Sequence, residues 1–145
     1  MCILETLFML MAAVVAFLYK GNDLYPLLIS CGVLFGTGVA LYAIGFRANE
    51  YSAGRREGML TVTFTWILFS LLGMLPFYLG GYIDNVTDAF FETMSGFTTT
   101  GSTILTDIET LPKGILFWRS LTQWQGGIGM IVFTVALMPI LGGGA

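Results

Sequence analysis

Residues 84–102 read DNVTDAFFETMSGFTTTGS. They lie between two long apolar segments, yet they are neither a membrane span nor an ordinary soluble loop. Asn85 or Thr87 can cap a helix N-terminus, and Asp84 and Asp88 complement its positive end. From Thr87 to Phe97 there are about eleven residues, roughly 16 Å of helix, or about half a bilayer. Ala89, Phe90, Phe91, Met94 and Phe97 supply apolar surface, and Gly96 lets the helix pack closely or end. Three threonines, a glycine and a serine follow. Non-helical backbone at membrane depth is tolerated only where it is buried in protein or lines a wet cavity. Residues 98–102 must do one of the two.

Composition sets the environment. The 145 residues are 56% hydrophobic and 10% charged, with a mean hydropathy of +0.83. Soluble domains carry about 25% charged residues, so the expected class is an all-α integral membrane protein. Histidine is absent, which excludes a His-ligated haem or zinc. Cys2 and Cys31 sit in separate apolar segments and read as free thiols. A net charge of −3 points to no nucleic-acid partner. No nucleophile–base constellation or pair of aspartates lies within the spans, so no enzyme is expected. No cofactor is expected either.

Two leading transmembrane helices are expected within residues 1–46. The first, 1–19, is long enough to cross a core of roughly 30 Å. Its Glu5 lies near one end, where an interfacial, snorkelling position is expected. Lys20, Gly21, Asn22 and Asp23 form a polar turn. The second span, 24–46, has Pro26 in its first turn, where the missing N–H is harmless. Gly32 and Gly36 are spaced to let another helix approach closely. Residues 47–58, RANEYSAGRREG, carry Arg47, Arg55 and Arg56. This clustering marks a cytoplasmic basic loop, although Lys20, Lys113 and Arg119 would then lie on the other side.

Residues 59–145 are expected to form one membrane–pore-helix–membrane repeat. An outward-going helix fills 59–80, with Pro76 stopping or kinking it near its end. A half-length helix fills 84–97, a filter strand 98–102 and a second spanning helix 112–141. Arg119, Gln123 and Gln125 fall toward the outer end of that last helix, where snorkelling or a wet cavity would accommodate them. Gly126, Gly127 and Gly129 weaken it by about 1 kcal/mol each relative to alanine. Close packing against the half-helix is their expected use. Pro139 and residues 142–144 are expected to end it.

A cation entering a pore must exchange its water shell for other oxygens, and neutral backbone carbonyls supply them without trapping it. Thr99, Thr100, Gly101 and Ser102 meet the requirement: small, uncharged, extended and rich in oxygen. Glycine reaches positive φ at no steric cost. The preceding helix would direct its negative end toward the cavity. The expected ion contacts are the carbonyls of these four residues, with potassium at Thr99, Thr100 and Gly101. Thr98, Gly96 and Glu92 are supporting positions. The competing reading is a Thr/Gly-rich turn that merely packs in a noncatalytic membrane subunit.

Four segments carry a family resemblance: LPFYLGG at 75–81, DAFFETMSGFTTTGSTIL at 88–105, LPKGILFWRSLTQWQGGIGMIV at 111–132 and MPILGGG at 138–144. In these the chain resembles the Trk/Ktr/HKT superfamily of potassium uptake proteins, most of all the bacterial TrkH/TrkG branch. The resemblance implies a potassium-channel-like fold in which four such repeats in one chain each supply a quarter of the selectivity filter. Gly101 matches the characteristic filter glycine, and the first two spans match the pair that precedes the first repeat. It further implies potassium as the transported ion and an inner-membrane location with the filter mouth external. The partners it implies are the lipid bilayer, three further repeats of a longer chain, a second complete copy and a cytosolic TrkA-type nucleotide-binding regulatory subunit. The alternative to a longer chain is four short chains assembling into one pore.

Overall fold

The computed structural model describes residues 2–46 and 55–142, with side chains placed for 2–46 and 56–132. Within these limits all regular structure is helical. The elements are α1 (Cys2–Leu18), α2 (Leu24–Phe46), α3 (Arg55–Gly73), α4 (Leu75–Leu79), α5 (Val86–Phe97) and α6 (Lys113–Gly142). Both α2 and the stretch Arg56–Leu79 are long and apolar enough to cross a membrane. Residues 47–54, most of the expected basic loop, lie outside the described residues. The rest of that loop is already helical, because α3 starts at Arg55 rather than Met59.

Helices α1 and α2 are joined by a tight C-cap. Gly21 N–H bonds to Ala16 O and Lys20 N–H to Phe17 O, at 3.1 and 3.2 Å. This is the Schellman pattern, with Lys20 at φ +52 in the position glycine usually takes. Gly21 is needed one residue later. A Cβ there would run into the carboxylate of Asp23. That carboxylate is buried, and its Oδ2 accepts from Ile115 N–H at 3.1 Å. Asp23 therefore caps the first turn of α6 from a distant part of the chain, where an anion meets the positive helix end. Gly114 lacks the Cβ that would collide with this carboxylate and with Ala16. Burial, together with the nearby Asp23 charge, pushes the Tyr82 phenol above its usual pKa. Tyr82 and the start of α6 thus gather around Asp23 at one end of the bundle.

Helix α1 packs on α2 and α6. Its buried face carries Glu5, Met9, Ala12, Ala13 and Ala16. Glu5 therefore does not snorkel: it is 1% exposed, and its Oε1 finds no partner among the described residues. The periodicity explains the difference. Met9, Ala12 and Ala16 follow Glu5 at i+4, i+7 and i+11, which places all four on one stripe. There is also a close approach between α1 and α2. It occurs at Gly38, where a Cβ would lie 3.1 Å from the Cβ of Cys2, whereas nothing lies within 4 Å at Gly32 or Gly36. Both cysteines are free, and the Cys31 thiol donates to Thr6 O.

The break between α3 and α4 falls at Met74, upstream of Pro76, which occupies the first turn of α4. With the helix interrupted, Phe77 N–H turns to Met74 O instead of Gly73 O. The freed Gly73 carbonyl accepts from the indole N–H of Trp118 at 3.0 Å, and Trp118 is fully buried. The backbone group released by the break is thus satisfied by a neighbouring helix. Helix α6 runs unbroken past Pro139 to Gly142, one residue beyond the expected 141. Large apolar side chains such as Phe17, Tyr25, Phe46, Phe64 and Ile131 face outward. Within lipid these lose nothing by exposure, so association between helices rests on close packing at small residues.

Candidate functional site

Helix α5 begins as its sequence dictates. Asn85 has extended backbone (φ −100, ψ 127), and its side chain accepts from Thr87 N–H at 3.1 Å. Asp88 lies in the first turn. The helix is sealed between α3 and α6. Phe97 is buried against Trp66 and Phe69, with ring centroids 6.2 and 6.1 Å apart. Ser70 donates to the Met94 sulfur at 3.0 Å.

Glycines set the distance to α6. At Gly126 a Cβ would lie 2.8 Å from the carbonyl carbon of Phe97 and closer still to its oxygen. At Gly96 a Cβ would lie 3.3 Å from the Cβ of Thr122, and at Gly129 one would lie 3.0 Å from the Trp66 ring. Gly126 and Gly129 of α6 therefore serve close packing, whereas Gly127 has room to spare, and the helix is continuous through all three. Thr122 and Gly126 fall about 14–20 Å along α6 from Lys113. The end of α5 thus lies near the middle of the bundle.

At that end the backbone turns sharply. Thr98 N–H bonds to Met94 O at 2.8 Å, Thr99 N–H to Gly96 O at 3.0 Å and Thr100 N–H to Ser95 O at 3.0 Å, with Gly101 N–H at 3.5 Å from Ser95 O. Thr99 (φ +56) and Gly101 (φ +75) adopt left-handed backbone. The expected extended strand over 98–102 is therefore a turn followed by irregular chain. Thr99 occupies the position where a Schellman cap normally has glycine. A β-branched residue there stores about 1–3 kcal/mol of strain.

The carbonyls follow from these bonds. All the peptide bonds here are trans, so each C=O points opposite to the N–H of the next residue. The N–H groups of Thr99, Thr100 and Gly101 face α5; the carbonyls of Thr98, Thr99 and Thr100 therefore face away from it. Thr99, Thr100 and Gly101 are exposed. Ser102 departs from expectation: its carbonyl accepts from Ser95 Oγ at 2.6 Å and is turned back toward α5. The Thr98 carbonyl accepts from Thr99 Oγ1 at 2.7 Å, so the outward-turned carbonyls without a hydrogen-bond partner among the described residues are those of Thr99 and Thr100.

Glu92 is 3% exposed. Its Oε2 accepts from Thr103 Oγ1 at 2.8 Å and from Ile104 N–H at 3.1 Å. Its Oε1 pairs with Arg119 Nε at 2.8 Å. Arg119, with its side chain 18% exposed, is the ion-pair partner of Glu92. Opposite charges on the half-helix and the last helix were the available sequence signal. Among the described residues no cluster of three or more His, Cys, Asp or Glu could hold a metal.

Residues 33–145 match the family model for TrkH, described as a cation transport protein. The chain belongs to the TrkH family. It is 40% identical over 135 residues to the Trk system potassium uptake protein TrkH of Vibrio parahaemolyticus, covering 92% of this chain and 28% of that protein. It is 37% identical over 144 residues to the Trk system potassium uptake protein TrkG of Escherichia coli, covering 98% and 30%. The fold agrees with the crystal structure of the potassium transporter TrkH from Vibrio parahaemolyticus, with a TM-score of 0.84 at 40% identity, over 97% of this chain and 31% of that one. The chain therefore spans under a third of the length of these relatives. The helical bundle is a membrane fold of the TrkH/TrkG branch, and α5 is a half-length helix within it.

Proposed function

We propose that this chain serves potassium uptake across the bacterial inner membrane, supplying one quarter of a Trk-type selectivity filter. The observation that carries the reading is the row of carbonyls at Thr98, Thr99 and Thr100, turned away from α5 at mid-bundle. The N–H groups here are occupied by the end of the helix and the Thr98 oxygen by the Thr99 hydroxyl at 2.7 Å, so the Thr99 and Thr100 oxygens remain for an ion. Potassium is the cargo, held at Thr99, Thr100 and Gly101, and no cofactor takes part. Thr98, Gly96, Glu92 and now Ser102 act as supports. The remaining three quarters of the filter come from further repeats, since one row of carbonyls cannot surround an ion.

The same reading sets the surroundings. The complete protein pairs with a second copy and binds a cytosolic TrkA-type nucleotide-binding subunit. The basic loop 47–58 faces the cytoplasm, and the filter opens outside.

The test is growth of uptake-deficient bacteria at low potassium, rescued by the longest native chain containing this segment. Gly101→Asp places a carboxylate where a Cβ meets nothing within 4 Å but at φ +75, so Gly101→Asn, which carries the same backbone cost without the charge, is the control. At equal membrane abundance Gly101→Asp abolishes rescue. Undiminished rescue would make the turn a packing element only.

A further inference from the structure

We infer that the Glu92–Arg119 pair is a positioning device that sets the ion preference of this quarter of the filter, a step that rests on the filter reading above. Where preference for the larger of two cations comes from cavity size, the carbonyls must not close around the smaller one, and the backbone carrying them is held from behind. On its first side the chain is held by the N–H groups of Thr98, Thr99 and Thr100 on the last carbonyls of α5. On its returning side the backbone bonds are replaced by two side chains of the same helix. Ser95 Oγ takes the Ser102 carbonyl at 2.6 Å, and Glu92 Oε2 takes Thr103 Oγ1 and Ile104 N–H at 2.8 and 3.1 Å. Glu92 and Ser95 are three residues apart and share a face of α5. Thr103 Oγ1 in turn accepts from Leu105 N–H at 3.1 Å.

Glu92 can hold this strand only while its own carboxylate is held in place. Its side chain is 2% exposed, and a carboxylate so enclosed needs a partner. Arg119 supplies one through Nε at 2.8 Å, with its own side chain 18% exposed. The arginine comes from α6, whose next turn carries Thr122 against Gly96 and whose Gly126 lies on Phe97. The seat of the half-helix and the clamp on the returning strand therefore share one helix. Any displacement of α6 is delivered to both sides of the turn.

The experiment uses the complete protein in uptake-deficient bacteria, measuring rubidium and sodium uptake separately and taking their ratio, which does not depend on abundance. Glu92→Gln/Arg119→Gln removes both charges and keeps the volume at position 92, avoiding the isolated charge that either single change would leave. The expected result is a chain that reaches the membrane and carries rubidium, with the rubidium-to-sodium ratio lowered about tenfold, the size of a coupling within one hydrogen-bonded network. Arg119→Lys keeps the charge but loses the rigid fork of donors. It lowers the ratio in the same direction, and it decides the matter if the double variant does not accumulate. A ratio within twofold of the unaltered protein in whichever of these variants accumulates overturns the inference and leaves the pair a purely structural tie. Gly101→Asp, run alongside, separates the two readings. If it transports normally, the filter reading itself fails. If it is dead while the ratio holds in the clamp variants, only the clamp fails.

Discussion

Adding one methyl group at Gly126 is the sharpest test of how α5 is seated. The Cβ of Gly126→Ala would stand 2.8 Å from the carbonyl carbon of Phe97 and 3.0 Å from its Cα. Both atoms belong to backbone, so no side chain can rotate away. Restoring ordinary contact requires α6 and the end of α5 to part by on the order of 1 Å, and overpacking of this kind costs about 1–3 kcal/mol. Gly127 is the internal control. A Cβ there meets only the methyl of Thr99, at 4.0 Å. Both substitutions gain the same helix propensity, about 1 kcal/mol, so the difference between them isolates the contact. The assay is unfolding of the complete protein in detergent, together with rubidium uptake per molecule. Gly126→Ala is expected to be about 1–3 kcal/mol less stable than Gly127→Ala, with uptake impaired because the displaced atom precedes the first outward carbonyl. Equal stability and uptake for the two variants would refute the close seat of α5 on α6.

Two further outcomes follow from buried single bonds. Asp23→Ala leaves Ile115 N–H without its acceptor and removes the anion from the start of α6, for a loss of about 1–2 kcal/mol; Asp23→Asn, which retains an acceptor, loses less, and thermal unfolding ranks the two. Trp118→Phe strands the Gly73 carbonyl at the α3–α4 break and is expected to lower stability by about 1–3 kcal/mol, measured by the same unfolding assay with Trp124→Phe, whose ring is exposed, as the reference.

What the sequence determined by itself was governed by neighbours along the chain. Apolar content and run length dictate a membrane bundle. Asn85, Asp88 and the count of residues to Phe97 dictate a helix that stops halfway. Threonines and glycine beyond it supply small, oxygen-rich backbone, though the extended strand they suggest is a turn, and Gly126 marks close packing. The tertiary structure decided everything that joins distant segments. Asp23 and Ile115 are 92 residues apart, and no local pattern distinguishes a capping aspartate from a turn residue. Arg119 and Glu92 are 27 apart; each alone reads as a polar residue in need of water. Glu5 looked terminal by position but is interior by helical phase, because α2 and α6 cover that stripe. Gly32 and Gly36 announce a close contact that, among the described residues, Gly38 makes instead. Ser102 shares its neighbours' composition, yet Ser95 turns its carbonyl the other way. Local sequence sets which conformations a segment can adopt. Which of its polar groups find one another depends on how the helices pack.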